Sequence, residues 1–146
     1  VSHVSKVDLV IQDLECLKAA AKSLGLEFRE DQKTYRWYGT FVGDSKPPEG
    51  ISPSEYGKCL HAIGVPNNSK AYEAGVVKNP NGPGYVLLAD FWQGGYGLEA
   101  QAGKGCSKLS QMYAQEVAKK NLKLKGFFVK STVLSDGSIK LNATRR

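Results

Sequence analysis

The chain has 146 residues, enough for one domain with its own core, and its 41% hydrophobic and 23% charged content excludes a disordered or fibrous protein. No apolar run approaches the roughly 20 residues of a membrane span, and the first residues lack the basic-then-apolar layout of a secretory signal. A cytoplasmic protein with no membrane partner is therefore expected. The net charge of +6 is uneven: residues 98–146 carry ten Lys or Arg against Glu99, Glu116 and Asp136, a balance of +7, whereas the first 97 residues set ten basic side chains against eleven acidic ones, a balance of −1. Such asymmetry marks either a solvated lysine face or a surface for an acidic partner or nucleic acid.

Residues 4–11 alternate loosely between apolar and polar side chains and predict an opening strand. Asp13 is placed to cap a helix whose Leu14, Leu17, Ala21 and Leu24 recur on one side, with Gly25 as its left-handed stop. Residues 26–29 and 34–41 are rich in aromatic side chains and predict two strands around the polar turn Glu30-Asp31-Gln32-Lys33. Pro47, Pro48 and Pro53 make residues 43–54 a long loop, and residues 61–66 a short strand that Pro66 ends. Residues 74–77 and 84–92 form an antiparallel pair joined by a segment containing the turn dipeptide Asn81-Gly82.

The clearest helix spans residues 107–122, with Leu109, Met112, Tyr113 and Val117 as its apolar face, and Gly126 breaks it. A hairpin closes the chain: residues 127–134, the turn Ser135-Asp136-Gly137, and residues 138–144. The expected fold is a single α+β domain over residues 1–146, a mainly antiparallel sheet with two main helices packed on one face. Strand–helix–strand occurs at each end, which suggests a pseudo-symmetric layout.

Few residues suggest chemistry. Cys16, Cys59 and Cys106 are odd in number, widely spaced and without a Cys-x-x-Cys pair, so neither a disulfide framework nor a structural zinc site is expected. His3 and His61 are far apart and lack a dense acidic cluster, so no metal or other cofactor is implied. The glycines around Lys104 do not make a phosphate loop, because Leu98 stands where its first glycine is needed and Gly105 where Ser or Thr must follow the lysine.

A simpler anion site is conceivable at the start of the long helix, from Lys104, Gly105, Cys106, Ser107 and Lys108. Cys106 there is a candidate for a lowered thiol pKa, although a structural cysteine is the commoner case. Asp90, inside an apolar run, must be paired or hydrogen-bonded if buried. The rings of Tyr35, Trp37, Tyr38 and Phe41 either fill a core or form a stacking platform for single-stranded nucleic acid.

The opening Ser2-His3-Val4-Ser5-Lys6, the segments Leu24-Gly25-Leu26 and Leu88-Ala89-Asp90-Phe91-Trp92, the helix around Tyr113, and Leu134-Ser135-Asp136-Gly137-Ser138-Ile139-Lys140-Leu141 together resemble a family. It is the hypothetical chloroplast reading frame thirty-five family of plastids, cyanobacteria and their phages, whose activity is unknown. Members typically open Met-Ser-His-Phe, so Val4 is a departure. The resemblance covers both ends of the chain and fades over residues 43–71, which read as a loop or insertion.

The resemblance carries no catalytic residues. It implies a small accessory protein associated with an AAA-type ATPase system, located in cytoplasm, plastid stroma or phage-infected host cytoplasm. The expected function is a non-enzymatic accessory or regulatory module, docking on a protein partner through a basic surface that includes Lys119, Lys120, Lys123, Lys125, Arg145 and Arg146. The alternative is nucleic-acid binding by the same cluster together with Lys104 and Lys108. A third expectation is a small enzyme or ligand-binding domain around Asp90, Trp92 and Cys106.

Overall fold

The computed structural model describes residues 3–43 and 45–145. In chain order the elements are β1 (Val4–Lys6), α1 (Leu14–Ser23), β2 (Glu27–Arg29), β3 (His61–Gly64), β4 (Ala74–Lys78), β5 (Tyr85–Asp90), α2 (Leu98–Ala102), α3 (Ser107–Leu124), β6 (Phe127–Val133) and β7 (Ile139–Arg145). Five strands form one antiparallel sheet in the order β1-β5-β4-β3-β2, and β6 and β7 form a separate two-stranded ribbon. The result is the expected α+β domain.

Period-two alternation divides the sheet residues between two cores. Leu87 and Ala89 of β5, Ala74 and Val76 of β4 and Ile63 of β3 pack with Leu17, Ala20 and Ala21 of α1 and Leu109 and Tyr113 of α3. Their neighbours Leu88, Val77 and Ala62 face the other way, against Tyr35, Trp37, Phe41, Ile51 and Tyr56. The second face is thus covered by the long connection between β2 and β3. Burial on both faces explains why β5 reads as a continuous apolar run.

α1 and α3 lie antiparallel, so Glu15, Cys16 and Ala19 at the start of α1 sit beside Glu116, Lys119 and Lys123 near the end of α3. Asp13 caps α1 by accepting the Cys16 N–H at 3.1 Å, and it also pairs with Lys120. The Tyr113 hydroxyl accepts the N–H groups of Gln12 at 2.9 Å and Asp13 at 3.2 Å, tying the entry of α1 to the middle of α3.

Several sequence expectations need correction. The opening strand stops at Lys6: the Leu9 N–H turns back to the Val7 carbonyl, and only an isolated bridge from Ile11 to Tyr85 rejoins the sheet. Residues 34–41 are not a strand. They make one bridge, Thr34 to Lys58, because their rings pack down onto the sheet instead of alternating along it. Tyr35 occupies the space above Gly75, where an added Cβ would meet its ring at 2.3 Å.

β5 ends at Asp90, so Trp92 lies outside it. The pseudo-symmetry is absent, since the strand after α3 pairs only with β7 and never reaches the main sheet. Residues 43–71 contain β3, which has a neighbour on each side, so removing that stretch whole would split the sheet.

Candidate functional site

The start of α3 is built on left-handed backbone: φ is +84° at Gly103, +60° at Gly105 and +63° at Cys106. Glycine adopts this region freely, but at Cys106 it carries a steric cost. The turn swings the Cys106 side chain into the core, where it is fully buried among the residues between α1, α3 and the sheet. Burial, aided by the nearby Glu99 carboxylate, pushes the Cys106 thiol up to about 12, against the lowered-pKa alternative and in line with a structural cysteine. Desolvation outweighs the helix terminus because the thiolate would have no water around it. Glu99 also accepts the Gly105 N–H at 2.5 Å, placing a negative charge where an incoming anion would have to bind. Lys104 and Lys108 are exposed, and Ser107 opens α3 beside them.

Asp90 is fully buried, and its two carboxylate oxygens accept the Trp92 N–H at 3.0 Å and the Tyr38 N–H at 3.2 Å. The bonds anchor both the chain leaving β5 and the cover of the second sheet face. Asp90 shares the face of Leu88, opposite the core that holds Cys106, so the two never meet. Trp92 is partly exposed and lines a small cleft with His3, Ser5 and Phe91. Of the trio, Asp90 and Trp92 are therefore neighbours and Cys106 lies apart, in the opposite core.

His3 precedes β1 and His61 opens β3, three strand spacings or roughly 14 Å across the sheet. His61 Nδ1 accepts the Asp31 N–H at 2.9 Å. Among the described residues no group of three or more His, Cys, Asp or Glu is placed to hold a metal.

Of the expected aromatic platform, Tyr35 is buried, Trp37 and Phe41 stack edge-on against Tyr56, and Tyr38 is exposed. These rings cover the sheet face opposite α3, away from the basic side chains of that helix.

The basic segment divides into paired and unpaired cations. Lys119 bonds Glu116 at 3.3 Å, and Lys120 bonds Asp13, which holds the Asp13 carboxyl below its ordinary range. The Arg145 guanidinium lies 5.2 Å from the centre of the Phe127 ring. Lys123, Lys125, Lys130 and Lys140 are exposed and have no acidic partner within 4.0 Å among the described residues. Arg146 lies outside the described residues.

Two features have no counterpart in the sequence reading. Glu73, buried near the β3–β4 turn, accepts hydrogen bonds from the Arg29 guanidinium, the Gln32 amide and the Arg36 backbone N–H. These partners lie about forty residues away, so no local pattern marks them. Residues Gln93, Gly94, Gly95 and Tyr96 form a left-handed turn with φ between +52° and +66°, secured by the Tyr72 N–H on the Gly95 carbonyl at 2.8 Å. The two glycines were a usable signal for it. Compared with protein-family models, curated proteins and solved structures, the chain matches none of them.

Proposed function

We propose that the protein is a non-enzymatic accessory or regulatory module that docks on a protein partner through the basic surface formed by the last turns of α3 and the β6–β7 ribbon. What supports the reading is the set of exposed lysines, Lys123, Lys125, Lys130 and Lys140, left without acidic partners, whereas Lys119 and Lys120 are paired with acids. A cluster of like charges held on one segment repels itself and is relieved by a negatively charged surface. The resemblance to the chloroplast reading frame thirty-five family suggests an AAA-type ATPase system as the partner, and the reading retains that as a proposal.

The test is affinity capture from lysate of the source cells, comparing the parent protein with the variant K123E/K125E/K130E/K140E, whose fold is checked by circular dichroism. The expected result is a reproducible protein partner recovered by the parent and lost by the variant. Recovery of the same proteins by both, or of none, overturns the reading. Tight oligonucleotide binding that weakens steeply between about 50 and about 200 mM salt would overturn it in favour of nucleic acid.

A further inference from the structure

The ribbon has an edge that is chemically complete and unused. Leu134 and Ser138 flank its three-residue turn, with the Leu134 N–H on the Ser138 carbonyl at 2.8 Å and Gly137 at φ +86°. In an antiparallel ladder hydrogen-bonded pairs alternate with non-bonded ones, so counting from this pair fixes the rest. Val133–Ile139, Ser131–Leu141 and Val129–Ala143 are the non-bonded pairs. Ile139, Leu141 and Ala143 therefore direct their N–H and C=O groups away from β6, to the outer edge of β7, which no described strand pairs. The same residues, with Phe127, Val129 and Val133 across the ribbon, make a mainly apolar face, which Ser131 and Arg145 share. Lys140, Asn142 and Thr144 lie on the polar face.

The ribbon is also under-supported. None of its strand residues is buried, and Val133 is 70% exposed. A two-stranded ribbon alone is marginal in water; packing against a helix or a third strand stabilises it, and here α3 supplies only part of one face. Between the ribbon and the helices lies a groove of about 610 Å³ in which Leu24, Met112, Val133 and Ile139 sit with Lys108, Gln111 and Asp136.

Charge selects the occupant. Edge-to-edge pairing with a second copy would put Lys140 of both ribbons, with Lys130 one strand behind, on one polar face, and lysine on an open edge is a known guard against such pairing. An acidic segment meets one like charge, Asp136 at the turn, and is drawn to Lys140 and Lys130 along the strands. We infer that the outer edge of β7 is a strand-addition site for an extended segment of a partner protein that alternates acidic and apolar residues. Its backbone pairs with Ile139, Leu141 and Ala143, its apolar side chains join the apolar face, and its carboxylates meet Lys140 and the cations around it. The inference rests on the proposed docking role and names the edge and the partner chemistry.

The experiment titrates the whole protein with three synthetic peptides at low salt: alternating Glu and Val, the same sequence with Pro replacing every second Val, and alternating Lys and Val. Amide hydrogen exchange and amide chemical shifts are followed by NMR. The expected result is slowed exchange at Ile139, Leu141 and Ala143 with the Glu–Val peptide alone, weakened several-fold by Lys140→Glu. Equal binding of the proline peptide overturns the strand-addition site but leaves the basic docking surface standing. Absence of binding by either acidic peptide overturns it too, and the lysate capture then decides the docking role separately. Slowing of the same amides by protein concentration alone, without peptide, overturns the acidic occupant in favour of a second copy.

Discussion

β5 and the β6–β7 ribbon are both antiparallel and both rich in Val, Leu and Phe or Ala, yet five of the six β5 residues are buried and no residue of β6 or β7 is. The difference lies in what covers them. β5 has β1 and β4 on its edges, α1 and α3 over one face, and Tyr35 and its neighbours over the other. The ribbon has only the flank of α3 along part of one face. Burial is a property of the neighbours a strand meets, and the same kind of side chain stabilises the fold in one place and remains available in the other.

Substitutions should separate the two regions. Leu87→Ala removes a fully buried side chain from the central core and should cost about 2–5 kcal/mol in urea unfolding. A loss under about 1 kcal/mol would mean that the core is looser than its packing suggests. Asp90→Ala comes next. It leaves the Tyr38 and Trp92 N–H groups without their acceptor in a dry site, at about 1–3 kcal/mol, and Asp90→Asn, which keeps an oxygen, should recover part of it.

Asp13→Ala removes the cap of α1 and should cost about 1 kcal/mol. Its pH dependence has a defined sign. Hydrogen bonds from Lys120, then from the Cys16 N–H, lower the Asp13 carboxyl, so its contribution is complete above the ordinary aspartate value of about 3.9 and is lost as pH falls through the lowered one. The melting temperature of the parent should therefore drop faster than that of the variant as pH falls from about 3.9 through the lowered value. At the small end, Val133→Ala on the ribbon should change stability by no more than about 0.5 kcal/mol, because the side chain is 70% exposed. A larger loss would show that the ribbon is integral to the folding unit, and the contrast with β5 would fail.

Local patterns were legible where a single element decides its own form. Asp13 before an apolar stripe is a cap in sequence and in structure, and Gly126 and Ser135-Asp136-Gly137 end α3 and turn the ribbon as their backbone preferences dictate. The reading of residues 34–41 failed because aromatic content is common to strands and to loops that lie over a sheet. Cys106 was legible in sequence only as a choice between a low-pKa thiol and a structural cysteine, and the structure places it in the core, the commoner case. A helix N-terminus is visible in sequence, but the core that closes over it is not.

The sequence by itself determined the fold class, the extent of α1 and α3, the pairing of β4 with β5, and the concentration of positive charge after residue 97. Each follows from short-range periodicity, turn chemistry or simple counting. Only the tertiary structure decided that β3 lies inside the sheet, that Asp90 and Cys106 face opposite cores, that Glu73 binds Arg29, and that the last two strands stand apart with an edge open. Those are long-range pairings. They depend on which surfaces meet when the chain folds back on itself, and spacing along the chain does not encode that directly.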